Sequence, residues 1–501
     1  PTNTVTGKTL IKPVRTRSGV AIVTLLTMPY PCPGKCVYCP DEERMPKSYI
    51  ATEPAAARAL ALKFDPYLQV RRRIEMLETN GHSADKIELI IKGGTWSSYP
   101  IEYQQWVVQQ SLLAMNETNI TARTIENSNP YNQYNRFWGE EKKNWSPETL
   151  FDEQRKNETA KYRCIGLTIE TRPDYISTQE LKRLRELGVT RVELGVQTTE
   201  NAVLDLIVRG HTTEHVTLAT RLLKDAGFKV DYHLMPGLPG ATIESDLGSA
   251  REVFENSDYQ PDMIKLYPTV VTPNTVLEQW WREGRYTPYS TEELIVLLAD
   301  IKAIVPPWVR ISRVIRDIPS QETVAGNTKT NLRETVQKFM REREIRCRCL
   351  RCREVGQKRL EVRGERLEVY NPILIERSYS ASGGKEYFLS FEDEESDTVY
   401  AFLRMRLPSA DAALIAKHFP ELDGAALIRE LHTYGKLVSI GERIDDASQH
   451  TGLGRRMLER AETIAADNGY KKIAIIAGVG VREYYRGRGY SLEGTYMVKS
   501  L

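Results

Sequence analysis

Val20-Ala21-Ile22-Val23-Thr24-Leu25-Leu26, then Pro31-Cys32-Pro33-Gly34-Lys35-Cys36-Val37-Tyr38-Cys39-Pro40: an apolar run and, a few residues on, three cysteines within eight positions. The run is short and β-branched and reads as a buried strand. The cysteines fall in the loop that leaves it. An iron–sulfur cube usually takes four protein thiolates. Three close thiolates with no fourth nearby leave one iron open, and an open metal site is a reactive one. Two blander readings stand beside this. The trio belongs to a zinc site completed by a distant histidine, or the thiols are exposed and idle.

Outward from this loop the pattern is strand, loop, helix, repeated. Candidate strands are 20–26, 87–91, 165–169, 190–196, 228–234 and 263–267. Leu181, Leu184 and Leu187 recur at helical spacing, and Gly188 ends that segment. Alternating strand and helix predicts an α/β fold with a parallel sheet. Six βα units predict a partial (β/α)6 barrel over residues 1–315. Such folds bind cofactors at the carboxyl ends of their strands. Cys32, Cys36 and Cys39 follow the first strand and Gly93-Gly94-Thr95 the second, so both belong to the expected site. Glycines there let a ligand approach the backbone. Glu170-Thr171-Arg172 and Glu193–Gln197 put polar groups at the third and fourth strand ends. They face ligand, or they form a structural salt bridge between Glu170 or Glu193 and Arg172.

Arginine becomes frequent over a linker at 316–372. Cys347-Arg348-Cys349-Leu350-Arg351-Cys352 lies in it. C-x-C-x2-C offers three soft ligands and suits a structural zinc, with His418, His432 and His233 as candidates for the fourth. A second α/β domain is expected over 373–501. There 387–389 and 399–407 alternate like antiparallel strands, with Val399, Ala401, Leu403 and Met405 on one face. The acidic stretch 392–397 turns between them. Gln449-His450-Thr451-Gly452-Leu453-Gly454 opens an amphipathic helix that Gly469 closes. Glycine-rich turns at a helix N-terminus make an anion site. Lys472–Ile476 reads as another strand.

The chain of 501 residues is 41% apolar and 27% charged, ordinary globular values. It has no run of about 18 apolar residues and no signal-peptide pattern, so no membrane span is expected. It begins at Pro1 without Met, so residues upstream are expected to be missing. Seven cysteines, six of them in two tight clusters, are not a disulfide framework and point to a reducing cytoplasm. Net charge is +2 but uneven. Residues 1–40 carry five basic residues and no acid, and 301–370 carry 17 basic against 9 acidic. The rest is acidic. Local basic stretches suit a polyanion; the alternative is a solvated face.

The C-x3-C-x2-C spacing with Tyr38 before the last cysteine resembles the radical S-adenosylmethionine (SAM) enzymes. The resemblance implies a [4Fe-4S] cluster on Cys32, Cys36 and Cys39 with SAM on the open iron. It implies cofactor contacts at Gly93 and Gly94, where the family's usual third residue is Glu and this chain has Thr95. The Q-x-x-G-x-G form resembles the pyrophosphate loop of the Gcn5-related N-acetyltransferases, in which a tyrosine such as Tyr484 or Tyr485 protonates the departing thiolate. Both domains on one chain resemble the catalytic subunit of Elongator, the tRNA uridine acetyltransferase family. The pieces that carry this include Cys36-Val37-Tyr38-Cys39-Pro40, Leu167–Asp174, Lys265-Leu266-Tyr267-Pro268-Thr269, Arg429–Gly435 and Gly478-Val479-Gly480 with Tyr484-Tyr485-Arg486. The cysteine spacing is that of a prokaryotic member, which is expected to act without the other Elongator subunits.

That resemblance implies acetyl-coenzyme A contacts at Lys86, Glu430, Leu431, His432, Thr433, Gln449, Gly452, Leu453, Gly454, Arg455 and Tyr485, with Tyr485, Lys86 and His432 in catalytic roles. It implies an electron donor and the tRNA anticodon stem-loop as partners. The implied reaction joins the acetyl methyl carbon to C5 of the wobble uridine, and thioester hydrolysis leaves 5-carboxymethyluridine. Two rivals are a protein-lysine acetyltransferase with a structural iron–sulfur domain and a non-catalytic tRNA-binding scaffold.

Overall fold

The computed structural model describes residues 18–117, 147–356, 372–434 and 452–501, with Thr16 and two short strands, Thr4–Val5 and Lys8–Thr9. Two seven-stranded sheets organise the described chain.

The first sheet is entirely parallel, with strands in chain order: β1 Ala21–Leu26, β2 Lys86–Lys92, β3 Arg163–Thr171, β4 Arg191–Gln197, β5 Lys229–Leu234, β6 Met263–Leu266 and β7 Arg310–Arg313. It is an open barrel that keeps β1 and β7 as its edges. The expected barrel is present, and β7 is a seventh strand beyond the six read from the sequence. β2 shows how it works. Ile87, Leu89 and Ile91 are buried on the outer, helix-covered side, while Glu88, Ile90 and Lys92 turn into the lumen. Period-two alternation separates the two faces. The helix Thr178–Glu186 shows the outer layer. Ser177 caps it by accepting from the Glu180 N–H at 3.2 Å, and its Leu181 and Leu184 are fully buried. Gly188, at φ +88°, turns the chain back toward β4. Burying each leucine contributes roughly 2 kcal/mol.

The second sheet runs β8 Ile373–Ala381, β9 Gly384–Asp393, β10 Thr398–Leu407, β11 Ala425–Thr433, β12 Lys472–Ile475, β13 Ser491–Glu493 and β14 Tyr496–Ser500. Its spatial order is β8-β9-β10-β11-β12-β14-β13, antiparallel except for β11 beside β12. Ala401, Leu403 and Met405 pack on Met457, Leu458, Ala461 and Ile464 of the helix Leu453–Asp467. The opposite face is not solvated. It carries Arg404, Arg406 and Arg429, all fully buried against the barrel. Arg429 grips Asp262 with two bonds, at 2.8 and 2.5 Å, and reaches Glu386 at 2.9 Å. Arg406 donates to Asp225 at 2.8 Å. Bidentate charge-assisted bonds of this kind are strong and fix orientation. Gly478 and Gly480 bring a second segment against β3. A Cβ on either would collide with the backbone between Arg163 and Gly166. Among the described residues no helix is long and apolar enough to cross a membrane.

Candidate functional site

Cys32, Cys36 and Cys39 leave the carboxyl end of β1 and line one wall of a cavity of about 940 Å³. Packing holds their loop. Val37 packs against Val203, Leu204, Ile207 and Leu238, and its N–H donates to the Ile207 carbonyl at 3.2 Å. Ile207 leads to Arg209, whose Nη1 donates to Cys36 Sγ at 3.4 Å. The same guanidinium is aimed by two bonds to the Gly195 carbonyl, at 3.2 and 2.6 Å. A Cβ at Gly195 would push the Arg209 guanidinium aside. A hydrogen bond from Cys39 and then Arg209 push the Cys36 thiol down to about 5 against the opposing effect of burial. A ready thiolate, two more thiols on the same wall and a buried cation beside them fit a cluster of net negative charge.

The glycine pair divides its work. Gly93 packs its backbone on Thr27, leaving no room for a Cβ, whereas the space beside Gly94 is open. Thr95, where the resembled family has Glu, places its hydroxyl 3.7 Å from Cys32 Sγ.

Below these residues the lumen is charged. Lys92 pairs with Glu170 at 3.0 Å and with Glu193, and Lys265 also pairs with Glu193. His233 bridges Glu170 at 3.3 Å and Glu193 at 3.0 Å. Glu193 is held well below the usual carboxylate range by Lys265, Lys92 and His233, against the strong opposing pull of burial. The expected rival, a bridge from these acids to Arg172, does not form. Arg172 instead pairs with Asp174 at 2.9 Å, and a Cβ on Gly34 of the cysteine loop would come within 3.0 Å of its Nη1.

The same cavity continues to the amino ends of the strands, where β11 closes it. Its lining there includes Lys229, Asp231, Arg310, Glu430, His432 and Tyr434. β2 has seven residues and so spans about 20 Å, which sets the length of the passage. Glu430 pairs with Arg404 at 2.9 Å and Lys229 at 3.3 Å and is lowered to about 2, mainly by Lys229 and Arg404 acting against burial. His432 Nε2 meets the Ser18 carbonyl at 2.9 Å.

On the outer side, β11 pairs with β12 from Ala425 to Ile428 and then runs on to Thr433. The helix Leu453–Asp467 begins beside that stretch, with Gly452 at φ +75° as its first turn. Gly454 lies close to Tyr484 Oη, Leu431 and Thr433. Orphan N–H groups at such a start favour a phosphate. Arg455 is exposed and pairs with Glu459 at 3.7 Å. Gln449 lies outside the described residues. Tyr485 is packed in the domain core, while Tyr484 is partly exposed and faces Gly454. Lys86 begins β2 at the barrel's amino end, away from the cysteines, and its ammonium pKa is lowered by burial.

The Radical SAM superfamily model matches residues 135–251, and the Radical_SAM C-terminal domain model matches 261–342. The chain is 46% identical to the tRNA uridine(34) acetyltransferase of Dehalococcoides mccartyi, over 97% of this chain and 99% of that one. It belongs to the tRNA uridine(34) acetyltransferase family. The human Elongator complex protein 3 is 39% identical over 98% of this chain and 86% of its own. The solved archaeal Elp3 of Methanocaldococcus infernus, with its N-terminus deleted, superposes with a TM-score of 0.78. It is 42% identical, over 97% of this chain and all of that one.

In this member of the tRNA uridine(34) acetyltransferase family, Cys347, Cys349 and Cys352 hold their sulfurs within 4.8 Å of one another. Sulfurs bound to one tetrahedral zinc stand about 3.8 Å apart, so the trio has single-ion dimensions. The buried Lys302 lies 3.7 Å from Cys352 Sγ and offsets thiolate charge. His233 and His432 are not its fourth ligand. One is bonded within the barrel and the other to Ser18. Among the described residues no histidine joins the trio. The basic surplus of 301–370 also divides. Arg343, Arg346 and Arg348 are exposed, but Lys302, Arg310 and Arg353 are spent internally, Arg310 on Glu354 at 2.7 Å and Arg353 on Asp397 at 2.6 Å. Sequence reasoning missed Arg209. It lies 173 residues from the cysteine it bonds, and no local signal marks it.

Proposed function

We propose that the chain uses acetyl-coenzyme A to build a carboxymethyl group on C5 of the wobble uridine of tRNA. The observation that carries this is one unbroken cavity, lined at one end by Cys32, Cys36 and Cys39 and at the other by Glu430 and His432 of the acetyltransferase sheet. A bound cluster and SAM supply a carbon radical strong enough to take hydrogen from an unactivated methyl group. Cys32, Cys36 and Cys39 would hold the cluster, and Gly94 leaves backbone open for SAM. The turn Gly452-Leu453-Gly454 takes the pyrophosphate of coenzyme A. Tyr484 Oη lies beside that turn and would serve as the proton donor to the departing thiolate. The walls of the passage keep the acyl group from bulk water until it reaches the cysteine end. The wobble base enters at that end, splayed from its stack. Exposed Lys35 and Arg343, Arg346 and Arg348 suit its phosphates. Cys347, Cys349 and Cys352 would stiffen that basic segment around a zinc ion.

The test is anaerobic reconstitution with iron and sulfide, then incubation with SAM, acetyl-coenzyme A and tRNA, followed by nucleoside mass spectrometry. 5-Carboxymethyluridine at position 34 is the expected product. Acetylated lysine with unmodified tRNA would establish the lysine acetyltransferase instead. Intact tRNA binding without 5′-deoxyadenosine would establish the scaffold.

A further inference from the structure

Several lumen side chains have incomplete hydrogen bonding, Glu193, Gln197 and Ser312 among them, and among the described residues Asp231 is the carboxyl with both oxygens unpartnered. It is fully buried, and among the described residues neither carboxyl oxygen has a hydrogen-bond partner. Lys265 Nζ stands 4.0 Å away, beyond hydrogen-bond reach, and is engaged by Glu193. The flanking lumen residues on β5 are both satisfied, Lys229 by Glu430 and His233 by Glu170 and Glu193. Ser312 Oγ, on β7 of the same lining, is also buried and unpartnered. A buried carboxyl with no partner costs several kcal/mol. Orphaned polar groups that line a cavity mark what the cavity was shaped to receive.

We propose that Asp231 is a binding contact for the acyl end of the thioester substrate, hydrogen-bonded to the carbonyl or amide groups of that arm inside the barrel. The inference rests on the function proposed above. Asp231 stands on β5 midway between the Glu430 end, where the thioester enters, and the His233 end toward the cysteines. The arm of coenzyme A presents amides and a thioester, and both kinds of group match an unsatisfied carboxyl and an unsatisfied hydroxyl. Burial raises the Asp231 pKa against Lys265 and Arg191, the direction that suits a carboxyl donating to a carbonyl oxygen.

The experiment compares Asp231→Asn and Asp231→Leu with wild type in the full, cluster-loaded chain. The readouts are KM for acetyl-coenzyme A with tRNA present, affinity for coenzyme A lacking the acetyl group, thermal midpoint, and 5′-deoxyadenosine release. Asp231→Leu is expected to raise KM for acetyl-coenzyme A about tenfold, with Asp231→Asn between. Coenzyme A affinity should hold where the contact is the thioester carbonyl and fall with KM where it is an amide of the arm, while 5′-deoxyadenosine release at saturating acetyl-coenzyme A should hold and the thermal midpoint hold or rise. Unchanged KM in both variants overturns the proposal. Parallel loss of 5′-deoxyadenosine and of the midpoint also overturns it and makes Asp231 a packing residue. Wild type that forms no modified uridine sinks the functional reading, and this inference with it.

Discussion

His432 Nε2 donates to the Ser18 carbonyl oxygen at 2.9 Å, so a side chain of the acetyltransferase sheet is tied to the residue that leads into the first barrel strand. The bond fixes the tautomer, with the proton on Nε2. Burial lowers the imidazole pKa against the opposing pull of Glu430. Phe402 stacks on it with centroids 5.7 Å apart. His432 therefore acts as a clamp, and Nε2 is not available as a general base. His432→Ala should cost about 1–2 kcal/mol in urea unfolding. It should also leave the pH profile of acetyl-coenzyme A turnover without a shifted acid limb. Loss of such a limb would restore the base assignment.

The two tyrosines separate by exposure. Tyr484→Phe should lower acetyl-coenzyme A turnover about 10²-fold with little change in coenzyme A affinity, as expected for a lost proton donor. Tyr485→Phe should leave rate near wild type, because the ring that fills the core beside Tyr490 is kept, whereas Tyr485→Ala should cost stability. Steady-state kinetics with calorimetric binding reads both, and the reverse ranking would move the role back to Tyr485.

Arg209 supplies charge to a cluster ligand. Arg209→Met should shift the cluster's reduction potential to more negative values while iron content stays near that of wild type. A redox titration followed by electron paramagnetic resonance measures this. Loss of iron would show that the residue is needed to build the site rather than to tune it.

Asp262 gathers Arg429, Arg404 and Lys224 between the two domains. Asp262→Ala leaves three buried cations short of their counter-charge and should cost about 3–5 kcal/mol. Equilibrium unfolding should then show the two halves separating into distinct transitions.

Acid should weaken the fold through His211. Burial, Arg209 and Arg172 push its pKa down to about 2. It binds fewer protons folded than unfolded, so stability is complete above about pH 6.5 and falls as pH drops below that value. The loss from this residue between pH 6.5 and 5 is about 1.6 kcal/mol. Urea midpoints of wild type and His211→Gln at pH 5, 6 and 7 check it, and the variant should show the flatter profile.

The barrel was legible because its strands are apolar runs set between helical periods. β7 was not. Its residues are Arg310-Ile311-Ser312-Arg313, and only Ile311 is buried, too short a run to show a period. The cysteine trios were legible from spacing, and the turn that opens the helix Leu453–Asp467 from its glycines. The passage between the two sites was not, since its lining comes from many elements. Nothing in the sequence marks Arg404 and Arg406, which alternate with an apolar face, as buried, yet both are. Amphipathic alternation cannot distinguish water from a neighbouring domain that carries acids.

The doubly covered acetyltransferase sheet makes the protein indivisible. A fragment cut at residue 372 would lay bare three guanidiniums whose partners Asp225 and Asp262 stayed on the other piece. Damage to one half is felt by the other through the shared seam.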